Sequence, residues 1–190
     1  MKRIIVFASG SGSNAENIIN YFKHTKTAEV TKVLCNNKNA KVFERCKRLN
    51  VECLLFDRED FTKYDTVLNI VKNHGDFIVL AGFLWKIPQN LITEFPNKII
   101  NIHPALLPKY GGKGMYGMHV HNAVFENKEP ETGITIHFVN ENYDEGAIIY
   151  QAKAKLEEND TPTSIASKIH KLEQQYFPRI IEQVILQINE

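Results

Sequence analysis

Arg3-Ile4-Ile5-Val6-Phe7-Ala8, followed by Ser9-Gly10-Ser11-Gly12-Ser13-Asn14, reads as an apolar strand ending in a glycine-rich turn that opens a helix over residues 15–24. The alternation recurs: β-type runs at 30–35, 53–56 and 77–80 are separated by helical patterns at 40–49 and 60–73. Strands spaced by helix-length segments require right-handed crossovers, and hence a parallel sheet covered on both faces. A further helix at 88–95 leads into a strand at 99–103. The expectation is a three-layer α/β fold around a mostly parallel, twisted sheet.

Beyond residue 103 the texture changes. Residues 104–117 hold two prolines and four glycines with little periodicity, which predicts a loop over the carboxyl edge of the sheet. After a helix at 119–127, two strand patterns at 133–139 and 147–153, joined by the polar tract 140–146, should extend one edge as an antiparallel element. Asp160-Thr161-Pro162-Thr163 looks like a helix start, with Thr161 as N-cap and Pro162 in the first turn. That helix should run to about residue 176, with Pro178 kinking it or starting a second helix through Ile181, Val184, Ile185 and Ile188.

The 190 residues, 43% hydrophobic and 24% charged, suit one well-buried core and predict a single domain over 1–190. A net charge of +1 gives no electrostatic footprint for nucleic acid or an anionic membrane. Cys35, Cys46 and Cys53 form no CxxC pair and read as reduced thiols. Met1-Lys2-Arg3 runs into an apolar stretch too short for a signal peptide or a membrane span, so a cytoplasmic location is expected.

Chemistry concentrates in Ile99-Ile100-Asn101-Ile102-His103-Pro104. Alternation in a strand puts Asn101 and His103 on one face, and Pro104 should end the strand with His103 at its carboxyl end, where open α/β sheets bind ligands. Taken alone, the pair could equally be a satisfied strand end and a turn residue. The turn at 9–14 has the makings of a phosphate cradle, with backbone N–H groups and a helix dipole facing the anion. Gly10-x-Gly12-x-x-Ala15 also fits a dinucleotide fingerprint, but Cys35-Asn36-Asn37-Lys38 stands where an acid should hold a ribose, so a phosphomonoester fits better. In 133–139, Thr135 and His137 share a face; Asp144 follows in a polar loop and, if it met His103, would favour the imidazolium. His119 and His121 diverge on a helix and make a poor metal pair.

Together, Ser9-Gly-Ser-Gly-Ser-Asn14, Val79-Leu-Ala-Gly-Phe83, Asn101-Ile-His-Pro-Ala-Leu-Leu-Pro-Lys109, and Gly133-Ile-Thr-Ile-His-Phe-Val139 with Asp144-Glu-Gly146 resemble the glycinamide ribonucleotide formyltransferase family. The resemblance implies a Rossmann-like formyltransferase fold, 10-formyltetrahydrofolate as co-substrate and no metal. It implies Asn101, His103 and Asp144 as the catalytic set, with Gly12, Ser13, Asn14, His170 and Glu173 binding the phosphoribosyl acceptor. The folate site it implies comprises Leu84, Trp85, Lys86 and Ile87, with Asn101 and the stretch Asn140, Glu141, Asn142, Tyr143 and Asp144. Trp85-Lys86 departs from the family pattern of Arg and an aliphatic residue, and His170 stands where Gln is expected. A basic contact to the folate tail is expected near residues 58–63, from either Arg58 or Lys63.

The partners implied are small molecules rather than nucleic acid or membrane, and the state a monomer or weak homodimer. Methionyl-tRNA formyltransferase and formyltetrahydrofolate deformylase are neighbouring alternatives, each normally carrying a further domain for which 190 residues leave no room. From other classes, an NAD-binding oxidoreductase, a metal-dependent hydrolase and a non-catalytic nucleotide-binding module remain alternatives.

Overall fold

The computed structural model describes residues 1–187, so the expected helical position Ile188 lies outside the described residues. Strands β1 (Lys2–Ala8), β2 (Ala28–Cys35), β3 (Glu52–Leu55), β4 (Phe77–Leu80), β5 (Ile99–His103), β6 (Glu131–Phe138) and β7 (Ile148–Lys155) form one sheet in the order β3-β2-β1-β4-β5-β6-β7. Pairing is parallel from β3 to β5, then antiparallel for β5 with β6 and β6 with β7. The mostly parallel sheet with an antiparallel edge is therefore as the sequence suggested.

Period-two alternation sorts the apolar side chains into two cores. Ile4, Val6, Val79, Ile100, Ile102, Ile134 and Ile136 join the core under α1 (Ser13–Thr25), α2 (Val42–Arg48), α6 (Met118–Glu126) and α7 (Pro162–Gln187). Ile5, Phe7, Ile78, Leu80 and Ile99 join the core under α3 (Arg58–Thr62), α4 (Thr66–His74) and α5 (Gln89–Glu94). Asn101 and His103 continue the face of Ile99, and Thr135 and His137 lie opposite them in register, His103 facing Thr135 and Asn101 facing His137. On this second face the apolar core stops at β5, and polar side chains take over where the helices end.

Two helical expectations need correction. The pattern at 60–73 is two helices: the Asp57 carboxylate accepts from the N–H groups of Glu59 and Asp60 and starts α3 at Arg58, before α4 begins at Thr66. Apolar periodicity spans both and hides the break. Pro178, in turn, neither ends α7 nor divides it. A proline cannot bond the carbonyl four residues back, yet the Gln174 carbonyl is not left bare, because Asn17 Nδ2 donates to it from α1 at 2.9 Å. The start of α7 is as expected: Ser164 N–H donates to Thr161 Oγ1 at 3.2 Å while Thr161 N–H donates to Ser164 Oγ at 2.9 Å.

Candidate active site

A cleft of about 650 Å³ opens at the carboxyl ends of β1, β4 and β5, where the strand order reverses around β1. Its floor at one end is the turn from Gly10 to Asn14. Gly12, at φ 74°, caps α1 without any side chain of its own, which leaves the first turn's N–H groups facing the cleft. A Cβ at Gly12 would lie 2.6 Å from Val42 Cγ2, so only glycine brings the backbone this close to α2. Arg45 braces the turn from outside, donating from Nε to the Ser11 carbonyl at 2.7 Å and pairing with Glu16.

Asn14 lines the cleft with its side-chain amide already committed: Nδ2 donates to Glu173 Oε2 at 2.9 Å, and Oδ1 accepts from Gln174 Nε2 at 2.9 Å. The cradle is thus tied to α7, which also brings His170 and Glu173 to the cleft wall. Glu173 lies 3.6 Å from His170 Nδ1, and its hydrogen bond raises the His170 pKa from the ordinary value.

At the other end Asn101, His103, His137 and Asp144 meet. Asp144 Oδ2 is 3.5 Å from His103 Nδ1, and its Oδ1 is 3.5 Å from His137 Nε2. Burial alone would push the Asp144 carboxyl up, but His137, His103 and the N–H of Gly112, at 2.9 Å, together hold it below its ordinary value. Asp144 adopts φ 56°, a left-handed conformation rare outside glycine, of the kind that clusters at functional sites. Phe138 helps set this turn: any Cβ at Gly146 would sit 1.7 Å from the Phe138 carbonyl oxygen.

The chain's own carbonyls decide the tautomers. His103 Nε2 lies 2.7 Å from the Tyr110 carbonyl, an acceptor only, so Nε2 carries a proton and Nδ1 is the nitrogen that titrates beside Asp144. His137 Nδ1 lies 2.8 Å from the Phe138 carbonyl, and its Nε2 is shared between the Asn101 amide nitrogen, at 3.1 Å, and Asp144 Oδ1, at 3.5 Å. The Asn101 amide nitrogen thus faces His137 through one N–H, and its second N–H has no partner among the described residues. The net His103 shift corrects the expected imidazolium: burial lowers its pKa more than Asp144 and Tyr110 raise it.

Thr135, which shares a face with His137, holds this end together through partners that the sequence does not single out. Thr135 Oγ1 donates to the Ala105 carbonyl at 2.7 Å and accepts from Leu107 N–H at 3.0 Å and Gln151 Nε2 at 2.9 Å. It fixes the loop that carries Tyr110 back over His103. Hydroxyl and amide side chains on the polar face of β6 and β7 are visible in sequence, but their partners in the loop after β5 are not.

Leu84, Trp85, Lys86, Ile87, Asn140, Asn142 and Tyr143 line the cleft between its two ends, while Glu141 does not. Trp85 caps a cluster of Phe56, Phe61 and Phe83, and Arg58 Cζ stacks over its ring at 5.0 Å. Lys63 is instead paired with Glu59 one helical turn away. His121 lines the cleft but His119 faces Tyr116, and no group of three or more His, Cys, Asp or Glu among the described residues is disposed to hold a metal ion.

A formyl transferase family model matches residues 2–181. The chain belongs to that family. Phosphoribosylglycinamide formyltransferase of Bacillus subtilis is 34% identical over 191 residues, 97% of this chain and 95% of that protein. The chloroplastic enzyme of that name from Arabidopsis thaliana is 37% identical over 97% of this chain, which spans 67% of that protein and 60% of the Vigna unguiculata counterpart. Among solved structures, glycinamide ribonucleotide transformylase 1 from Geobacillus kaustophilus superposes with a TM-score of 0.88 at 33% identity, covering 97% of this chain and 98% of that one. Among the described residues of this family member, no helix is long and apolar enough to cross a membrane.

Proposed function

We propose that this formyl transferase moves the formyl group of 10-formyltetrahydrofolate to the primary amine of 5′-phosphoribosylglycinamide, a step of purine synthesis. The observation that carries the reading is the meeting of Asn101, His103 and Asp144 in the same cleft as an uncapped glycine turn. The turn at Gly12, Ser13 and Asn14 supplies backbone donors to the phosphate. Glu173 takes the ribose hydroxyls and His170 stands beside it. The formyl folate occupies the stretch from Leu84 to Ile87 and the segment Asn140–Asp144, with Arg58, stacked over Trp85, as a cation for its glutamate tail.

In the reaction the substrate amine attacks the formyl carbon, and the carbonyl pair moves onto oxygen. The free N–H of Asn101 donates to that oxyanion, and its rotation is fixed by His137 before substrate arrives. His103, neutral at rest with its proton on Nε2, takes a proton from the attacking nitrogen at Nδ1. The imidazolium so formed is stabilised by Asp144, which its surroundings keep ionised. The proton then passes to the leaving folate nitrogen as the tetrahedral carbon collapses, giving the formylated amine and tetrahydrofolate. No covalent enzyme intermediate is needed.

A transfer assay with 5′-phosphoribosylglycinamide and 10-formyltetrahydrofolate, run beside glycine and charged initiator tRNA, tests the proposal. Formylated product only with the phosphoribosyl acceptor is expected; transfer to tRNA, or release of formate without any acceptor, would replace it with a neighbouring activity.

A further inference from the structure

His121 on α6 is buried, 6% exposed, and lines the cleft, yet its Nδ1 is sealed from solvent without a hydrogen-bond partner. Neither ring nitrogen has a hydrogen bond among the described residues. The other two such atoms, Asn36 Oδ1 and Thr132 Oγ1, belong to residues away from the cleft wall. Of the three residues only His121 lines the cleft, and its Nε2, which is not sealed, is the nitrogen a ligand can meet.

Its place in the cleft indicates which part of a ligand it would meet. Glu173 is hydrogen-bonded to Asn14 and so adjoins the cradle. His121 lies within electrostatic reach of both Glu173 and His103. His121 therefore lies near both Glu173, beside the cradle, and His103, in the same cleft. The proposed acceptor runs in the order phosphate, ribose, carboxamide, amine, so its carboxamide lies between the groups assigned to Glu173 and His103.

We propose that His121 is a positioning residue for the acceptor, hydrogen-bonding the carboxamide that joins its ribose to its reactive amine. A carboxamide offers one acceptor oxygen and one N–H, and a neutral imidazole offers one donor and one acceptor, so the pair is complementary in either tautomer. Burial lowers the His121 pKa and keeps the ring in that neutral form. The contact sets the amine's approach to the formyl carbon while leaving the phosphate and sugar to other residues.

This inference rests on the acceptor proposed above, and the test separates the two. His121→Phe keeps a ring and removes both nitrogens; His121→Gln restores a donor and an acceptor. With one hydrogen bond lost, the phosphoribosylglycinamide KM should rise about tenfold in H121F, recover most of that in H121Q, and leave the folate KM within about twofold. Calorimetric binding of ribose 5-phosphate, which lacks the carboxamide, should be equal in H121F and the parent. In the parent protein, the 15N resonances of the His121 ring should move on adding phosphoribosylglycinamide and stay in place with ribose 5-phosphate, a readout that needs no variant to fold. An unchanged acceptor KM in H121F, or ring resonances that ignore the acceptor, overturns the inference even if formyl transfer is confirmed. A parent enzyme that transfers nothing to this acceptor overturns the function instead.

Discussion

At the β1 end of the cleft, the groups proposed to meet the phosphate are backbone N–H groups, held by apolar packing against Val42 and by ties from Arg45 and α7. At the β5–β6 end the groups are side chains, each held by another polar group: Asn101 by His137, His103 by the Tyr110 carbonyl, Asp144 by Gly112. A backbone site cannot be deleted by truncating a side chain, only deformed. A side-chain site can be deleted, and its supports are as sensitive as its members. The first end should govern binding and the second the chemical step.

The sharpest break in that comparison comes from deleting a member of the polar end. Asn101→Ala or His103→Ala should lower kcat by about 10²–10³ with the KM for the phosphorylated substrate changed little, measured by steady-state formyl transfer. Asp144→Asn should act likewise, since it leaves the His103 imidazolium without its counter-charge. Activity equal to the parent in any of the three would remove that residue from the reaction.

Deforming the backbone end should give the opposite split. Gly12→Ala forces a Cβ into Val42 and a non-glycine residue into φ 74°, at a conformational cost of about 1–2 kcal/mol. The KM for the phosphorylated substrate should rise about tenfold or more, while kcat at saturation stays near that of the parent. If kcat falls and KM does not, the two ends are not separable.

How much of this contrast was legible in sequence follows from the same physics. The cradle was readable because strand, glycines and helix are contiguous, and local chain geometry determines what such a turn presents. Asn101 and His103 were readable because strand alternation fixes their common face. What brings Asp144 and His137 to them is register between β5 and β6, set by pairing across a long loop, and no local pattern encodes it. The net direction of the His103 shift is not legible for a related reason: Asp144 does raise it, as its proximity implies, but the burial that outweighs this is not encoded in any local pattern. Likewise Pro178 looked like a helix break because its compensating donor, Asn17, is far away in sequence.

Removing a support rather than a member should produce a smaller, mixed effect. Thr135→Val keeps the shape and strips three partners, Ala105, Leu107 and Gln151, of a hydroxyl in a buried setting. Each buried group left unpaired costs about 1–3 kcal/mol, so the denaturation midpoint should drop clearly. The fall in kcat should stay below that of His103→Ala, because the loop bearing the Tyr110 carbonyl loosens without vanishing.

The smallest effect is a pH dependence of stability that the two ends should drive in opposite directions. His103 and His121 have pKa values depressed below the ordinary 6.5, so between their folded values and 6.5 the unfolded chain binds more protons than the native one. Their neutral burial is therefore fully tolerated above that range, and stability falls as pH drops through it. His170, raised by Glu173, has the reverse sign: its contribution is complete below 6.5 and is lost as pH climbs through its folded value. It is half exposed and screened, so its effect above pH 6.5 should be smaller than that of the buried pair below it. The unfolding midpoint should climb from pH 5 to 6.5 in the parent and climb less in His103→Asn, while His170→Gln should leave that climb unchanged and remove a shallow fall that begins above pH 6.5. A midpoint that falls over that interval would mean that the polar end gains protons on folding, and that His103 rests as the imidazolium after all.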